Sequence, residues 1–136
     1  MYKHILIATD DSELARKGLE HGLALAKPLG AKVTVLTVSE PLRPEISHAA
    51  RQQIDAFMKE RIASIEQSAS EQGVTVNLEH ETDVSPAAAI VRLAKLNGCD
   101  LVVMSTHARR GVQRVVLGSQ TLEVLASTTI PVLVIR

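Results

Sequence analysis

The sequence predicts an α/β protein: a three-layer α/β/α sandwich around a doubly wound, five-stranded parallel sheet with strand order 3-2-1-4-5. Three observations predict it. The runs HILIA (4–8), DLVVM (100–104) and PVLVI (131–135) are near-continuously apolar, as strands covered on both faces must be. Segments with helical periodicity separate them, giving the order β-α-β-α-β-α-β-α-β. Helix stop signals and caps fall between the runs, with no internal repeat, low-complexity tract or linker, so residues 1–136 read as a single domain.

The elements follow in order. After the first strand, Ser12 is placed to cap a helix whose apolar face holds Ala15, Leu19, Leu23 and Ala26, and Pro28 with Gly30 is expected to end it. KVTVLTV (32–38) is the second strand, and Pro41 and Pro44 mark a loop over 40–47. From Ser47 to Gln72 a long helix repeats Ala50, Ile54, Phe57 or Met58, Ile62, Ile65 and Ala69 at three- and four-residue steps, with Gly73 as its stop. VTVNLEH (74–80) alternates more and is more polar, which marks an edge strand. Next, Ser85 reads as an N-cap, Pro86 as the first helical residue and Gly98 as the stop. The last helix is expected from about Gly118 to Ala126, with Leu122 and Leu125 inward. Pro131 can open the final strand because a first position needs no ladder donor.

Composition narrows the function. Fifteen basic and fifteen acidic residues balance, against a general attraction to nucleic acid or anionic membrane. The aromatics are Tyr2 and Phe57, too few for base-stacking platforms. Cys99 stands alone, so no intrachain disulfide forms and a reducing interior fits. The start MYKHILIATDD lacks the basic and long apolar regions of a signal peptide, and no apolar run approaches the ~20 residues of a membrane span. The expectation is a cytoplasmic protein.

In such a sheet, ligands bind beyond the carboxyl ends of the strands at the topological switch point, here between strands one and four. ATDDS (8–12) and MSTHARRG (104–111) meet there. Ser119, Gln120 and Thr121 begin a helix, so their free N–H groups and the helix dipole favour an anion. Ser119 and Thr121 add hydroxyls, and Gly118 lets the backbone approach closely. Arg109, Arg110 and Arg114 supply guanidinium groups suited to phosphate. Asp10, on the opposite rim, can accept from a ribose hydroxyl or a base amino group, or bind Mg²⁺. The same residues also fit a plain turn and a solvated basic face.

The stretches ILIATDDS, VTVLTVSEP, CDLVVMSTHARRG and VVLGSQTLEVLASTTIPVLVIR resemble the universal stress protein family over essentially the whole length. That resemblance implies the fold above, a dimer through the final strand (131–135), and, in some members but not others, binding of ATP or another adenine nucleotide. Nucleotide-binding members carry glycine, two residues, glycine, nine residues, then glycine with serine or threonine. Placed here, the glycines fall on Ser105, Ala108 and Gly118, with Ser119 following. The resemblance further implies that Ala8, Thr9 and Asp10 lie near adenine and ribose. Val38 would offer its backbone to the adenine edge, and Met104 would pack on base or sugar. His107, Ala108 and Arg109 would border the phosphates, and Gly118, Ser119, Gln120 and Thr121 would complete the cradle. If position 108 needs positive φ, alanine costs roughly 1 kcal/mol. With Ser105 replacing the other glycine, binding is expected to be weakened about ten- to hundredfold, on the order of 1–3 kcal/mol.

Other readings carry less. No base for an attacking water stands out beyond His107, so at most slow ATP hydrolysis is expected. The histidines at 4, 21, 48, 80 and 107 lack metal-ligand spacing, and Cys99 reads as a small buried residue. A phosphoacceptor receiver domain shares the topology but needs an aspartate ending the third strand and a lysine ending the fifth. Asp83 is displaced from the former, and the fifth run ends at Arg136. The runner-up is a dimeric interaction module of the same family that binds no nucleotide.

Overall fold

Ile5, Leu6 and Ile7 are all completely buried, so consecutive side chains on both faces of one strand are covered. That is possible only in a central parallel strand with helices above and below. A computed structural model describes residues 1–10, 13–106 and 117–136. Its elements are β1 (His4–Thr9), α1 (Glu13–Leu29), β2 (Lys32–Ser39), α2 (His48–Glu71), β3 (Val76–Thr82), α3 (Pro86–Leu96), β4 (Leu101–Ser105), α4 (Ser119–Ser127) and β5 (Val132–Ile135). The five strands are parallel in the order β3-β2-β1-β4-β5. β1 is central: Ile5 pairs with Val33 on one side and Leu101 on the other.

Alternate strand residues feed two cores. Ile5, Ile7, Val33, Val35 and Val103 pack with Leu19 and Leu23 of α1 and Ile65 and Ala69 of α2. Leu6, Leu36, Val102 and Met104 pack with Ile90 and Leu93 of α3 and Val124 of α4. Each such aliphatic side chain contributes about 1.5–3 kcal/mol on full burial. α1 packs on Ile7 of the sheet at Gly22, which has no side chain. A Cβ there would sit 2.5 Å from Ile7 Cδ1.

The expected boundaries hold with instructive shifts. Ser47 Oγ caps Ala50 N–H at 3.1 Å, Ser85 Oγ caps Ala88 N–H at 3.2 Å, and Pro86 opens α3. Ser12 lies outside the described residues. Pro28 does not end α1; the helix continues through it to Leu29, because losing one N–H in the last turn is tolerable. Gly30, at φ 61°, ends it, and Ala31 N–H returns to the Ala26 carbonyl at 3.1 Å. β3 begins two residues later than expected because Val74 N–H closes the end of α2 on the Ala69 carbonyl at 2.9 Å.

Two expected inward faces need correction. On α4, Leu122 and Leu125 point outward, 51% and 41% exposed, while Thr121 and Val124 are buried. The buried stripe is rotated by one residue. On α2 the apolar repeat is buried only in its last third, at Ile65 and Ala69 with Ser68, whereas Ile54, Phe57 and Ile62 are exposed. The reason is length. Twenty-four helical residues span about 36 Å, while the eight residues of β2 span about 26 Å. α2 therefore outruns the sheet at the carboxyl ends of the strands.

Candidate functional site

The crevice predicted at the switch point exists, where the carboxyl ends of β1 and β4 meet the start of α4. β1 sends its chain to α1 on one face of the sheet and β4 sends its chain to α4 on the other, so their carboxyl ends part. Thr106 follows β4 and is 1% exposed. Its N–H donates to the Ile135 carbonyl at 2.9 Å, and its hydroxyl accepts from Gly118 N–H at 3.0 Å. That second bond fixes the start of α4 against the end of β4. Gly118 adopts φ −62° and ψ 156° and has no side chain, so no side chain caps α4. This contrasts with α2 and α3, whose serines serve that purpose. The first amides of α4 and the positive end of its dipole are left to whatever occupies the crevice. Thr121 is 3% exposed and lines the crevice, and its hydroxyl makes no hydrogen bond to another described residue.

The cavity is about 300 Å³, at the small end of ligand pockets. One wall is apolar: Ala8, Ala15, Leu36, Val38, Pro86, Ile90 and Met104. The other is polar: Thr9, Asp10, Ser105, Thr106, Gly118, Ser119, Gln120 and Thr121. Of the residues named from sequence, Ala8, Thr9, Asp10, Val38, Met104, Ser105, Gly118, Ser119, Gln120 and Thr121 are brought together here. His107, Ala108 and Arg109 lie outside the described residues, as do Arg110, Arg114 and Asp11. Among the described lining residues Asp10 is the charged one, so attraction for an anion there comes from amides and dipole.

The Ser105 side chain lies against Gly18 of α1. A Cβ on Gly18 of α1 would collide with Ser105 Oγ, so the serine side chain lies in the space that Gly18 leaves open. The bulk added at 105 is thus accommodated by the helix behind it.

The sequence reading missed Ala15, Leu36, Thr106, Pro86 and Ile90 in the wall. It also missed Arg61, a half-buried residue of α2 whose Nη2 donates to the Thr9 carbonyl at 3.1 Å. Arg61 braces the end of β1 from the overhanging helix. Thr106 could have been found, since it directly follows the β4 run. Arg61 carried no signal, because 52 residues separate it from Thr9.

Other ionisable groups serve the scaffold. Asp83 accepts from Ser85 N–H at 2.9 Å and pairs with Arg92 at 3.3 Å, which together hold its carboxyl below the usual range. The Lys3 and His4 amides do the same for Asp100, at 2.8 and 3.0 Å. Burial pushes the Cys99 thiol up to about 11, which makes it a poor nucleophile. A larger hollow, about 580 Å³, lies at the opposite end of the sheet beside His4, Lys27, Lys32 and Gly73. Carboxyl ends of helices gather there, and Lys27 Nζ donates to the Gln72 carbonyl at 2.8 Å. Lys27 thus already answers a carbonyl at the end of α2, which disfavours an anion site. A wider hollow, about 880 Å³, is lined by residues 40–46 alone.

Fold and site together define a doubly wound α/β protein with a crevice at its switch point, bordered by the uncapped start of α4. The chain belongs to the universal stress protein family, whose model matches residues 1–136. It is 30% identical over 142 residues to universal stress protein MJ0531 of Methanocaldococcus jannaschii, covering 100% of this chain and 83% of the relative. A Thermus aquaticus universal stress protein is 29% identical over 140 residues, with both chains fully covered. Among solved structures, protein MJ0577 superposes with a TM-score of 0.81 at 27% identity, covering 99% of this chain and 96% of that one. A universal stress protein from Archaeoglobus fulgidus in complex with dAMP gives 0.74 at 21% identity, covering 99% and 98%. One in complex with cAMP gives 0.76 at 18%, covering 99% and 97%. These last two establish likeness of fold.

Proposed function

We propose that this protein binds an adenine nucleotide, ATP or a close relative, in the crevice between β1 and β4, and acts as a stress-response regulator by binding rather than turnover. The observation that carries the reading is the uncapped start of α4, held by Thr106 and opening with the buried Thr121 into a cavity that also has an apolar wall. Leu36, Val38, Ile90 and Met104 suit a flat purine, and the amides of Ser119 to Thr121 suit a phosphate. In this reading Asp10, just past the tip of β1, accepts from a ribose hydroxyl or binds a Mg²⁺ carried in with the nucleotide. His107, Ala108 and Arg109 belong to this proposal as residues bordering the phosphates. The complexes of two relatives with cAMP and dAMP support the adenine class.

A homodimer through 131–135 completes the proposal. β5 ends the sheet order, Leu133 is 38% exposed on it, and α4 leaves Leu122 and Leu125 exposed. An apolar strand edge of this kind invites pairing with a second copy. A cytoplasmic location is proposed from the unpaired Cys99, and no helix among the described residues is long and apolar enough to cross a membrane.

The test is to denature the purified protein, look for released nucleotide by chromatography, and titrate refolded or nucleotide-free protein with ATP with and without Mg²⁺. Saturable binding supports the reading. Absence of both released nucleotide and titratable binding replaces it with the ligand-free interaction module.

A further inference from the structure

Gln120 is the second residue of α4, is exposed, and lines the crevice. Its side chain has a defined job: Oε1 accepts from the backbone N–H of Ala87, 2.9 Å away in the first turn of α3. Ala87 is 1% exposed, so that amide has no recourse to water. The bond fixes the sense of the carboxamide, because a flipped amide would set its NH₂ against an N–H donor. The NH₂ is then the half left over, and no other described residue takes it.

We infer that Gln120 Nε2 is a fixed hydrogen-bond donor to the phosphate of the bound nucleotide, making the side chain, and not only the backbone, a phosphate reader. The inference rests on the nucleotide reading above. Two helix amino ends converge at this point, since Pro86 of α3 and Ser119 to Thr121 of α4 border one cavity. A carboxylate at 120 would serve the Ala87 amide at least as well and would suit both dipoles. It would also place a negative charge where the phosphate must sit. A carboxamide is the side chain that accepts from α3 and still donates to an anion.

Glutamate at this position therefore separates the two roles. AMP and adenosine are titrated against the wild-type protein, Gln120→Glu, Gln120→Met and Gln53→Glu, and the ratio of their affinities is the readout. Wild type is expected to favour AMP over adenosine. Gln120→Glu lowers that ratio by at least about tenfold, the scale of one charge-assisted hydrogen bond replaced by repulsion, while its thermal midpoint stays at or above the wild-type value. Gln120→Met, which removes donor and acceptor without adding charge, lowers the ratio by about threefold to tenfold and also lowers the midpoint. Gln53→Glu makes the same charge change on the exposed part of α2 and leaves the ratio within about twofold, because exposed charges are screened over ~8–10 Å. An unchanged ratio in Gln120→Glu, or equal losses for AMP and adenosine, overturns the inference and leaves Gln120 as a brace between helices. Wild-type protein that binds neither ligand overturns the nucleotide reading along with it.

Discussion

Thr106→Val probes the joint on which the crevice depends. The substitution keeps the β-branched shape and removes one hydroxyl, the acceptor for Gly118 N–H at 3.0 Å. Thr106 is 1% exposed, so water has no easy route to replace it. Leaving a buried donor unsatisfied costs about 1–3 kcal/mol. For a chain of this length each kcal/mol lowers the thermal midpoint by roughly 3–5 °C, so a drop of about 3–15 °C is expected by calorimetry. Loss of that bond frees the first turn of α4, and adenine-nucleotide affinity should fall by about tenfold, near 1.4 kcal/mol. Thr106→Ser retains the hydroxyl and loses a methyl group, so it separates the bond from the packing: affinity should stay near wild type even if stability drops. A Thr106→Val protein with wild-type midpoint and affinity would refute the claim that this hydroxyl positions α4.

Three further outcomes follow from the same geometry. Gly18→Ala drives a methyl group into Ser105 Oγ and should destabilise by about 1–3 kcal/mol; Ser105→Gly in the same chain should recover most of that loss in a denaturant double-mutant cycle. Asp83 and Asp100 have lowered pKa values when folded, so they stabilise the protein above the ordinary aspartate range, and that stability is lost as pH falls through the lower folded values; Asp100→Asn should lower stability at neutral pH and flatten the acid limb of a stability–pH profile, so that its difference from wild type shrinks as pH falls. The buried Cys99 thiol, raised to about 11, should resist alkylation at pH 8 in the native protein and react readily in urea; equal rates in both would contradict its burial.

The strands and caps were legible because each rests on a local rule. Ser47, Ser85 and Pro86 sit where capping chemistry puts them, and the apolar runs of β1 and β4 announce burial on both faces. The errors arose where tertiary geometry decides. The α2 repeat at Ile54 and Phe57 is a correct helical signal, yet the helix outruns the sheet that would cover it. On α4 hydropathy favoured Leu122 and Leu125, while the crevice takes Thr121 and the core takes Val124, a rotation no period can reveal. Arg61 reached the site by length of side chain and position along α2, which spacing does not encode.

The departures from the family glycine pattern gain meaning from what lies behind them. A serine at 105 would crowd a phosphate if its side chain faced only the crevice, but Gly18 opens a niche on α1 for Oγ. The cost assigned to that position from sequence alone therefore falls on helix packing, not on the ligand. If the loss remaining is that at Ala108 and position 108 needs positive φ, Ser105→Gly alone should leave nucleotide affinity within about twofold while loosening α1, and Ala108→Gly should raise affinity by about fivefold or more, on the scale of roughly 1 kcal/mol. Calorimetric titration of the two single variants distinguishes the positions. A gain from Ser105→Gly equal to that from Ala108→Gly would mean that the serine does impinge on the ligand and that the Gly18 niche offers no relief.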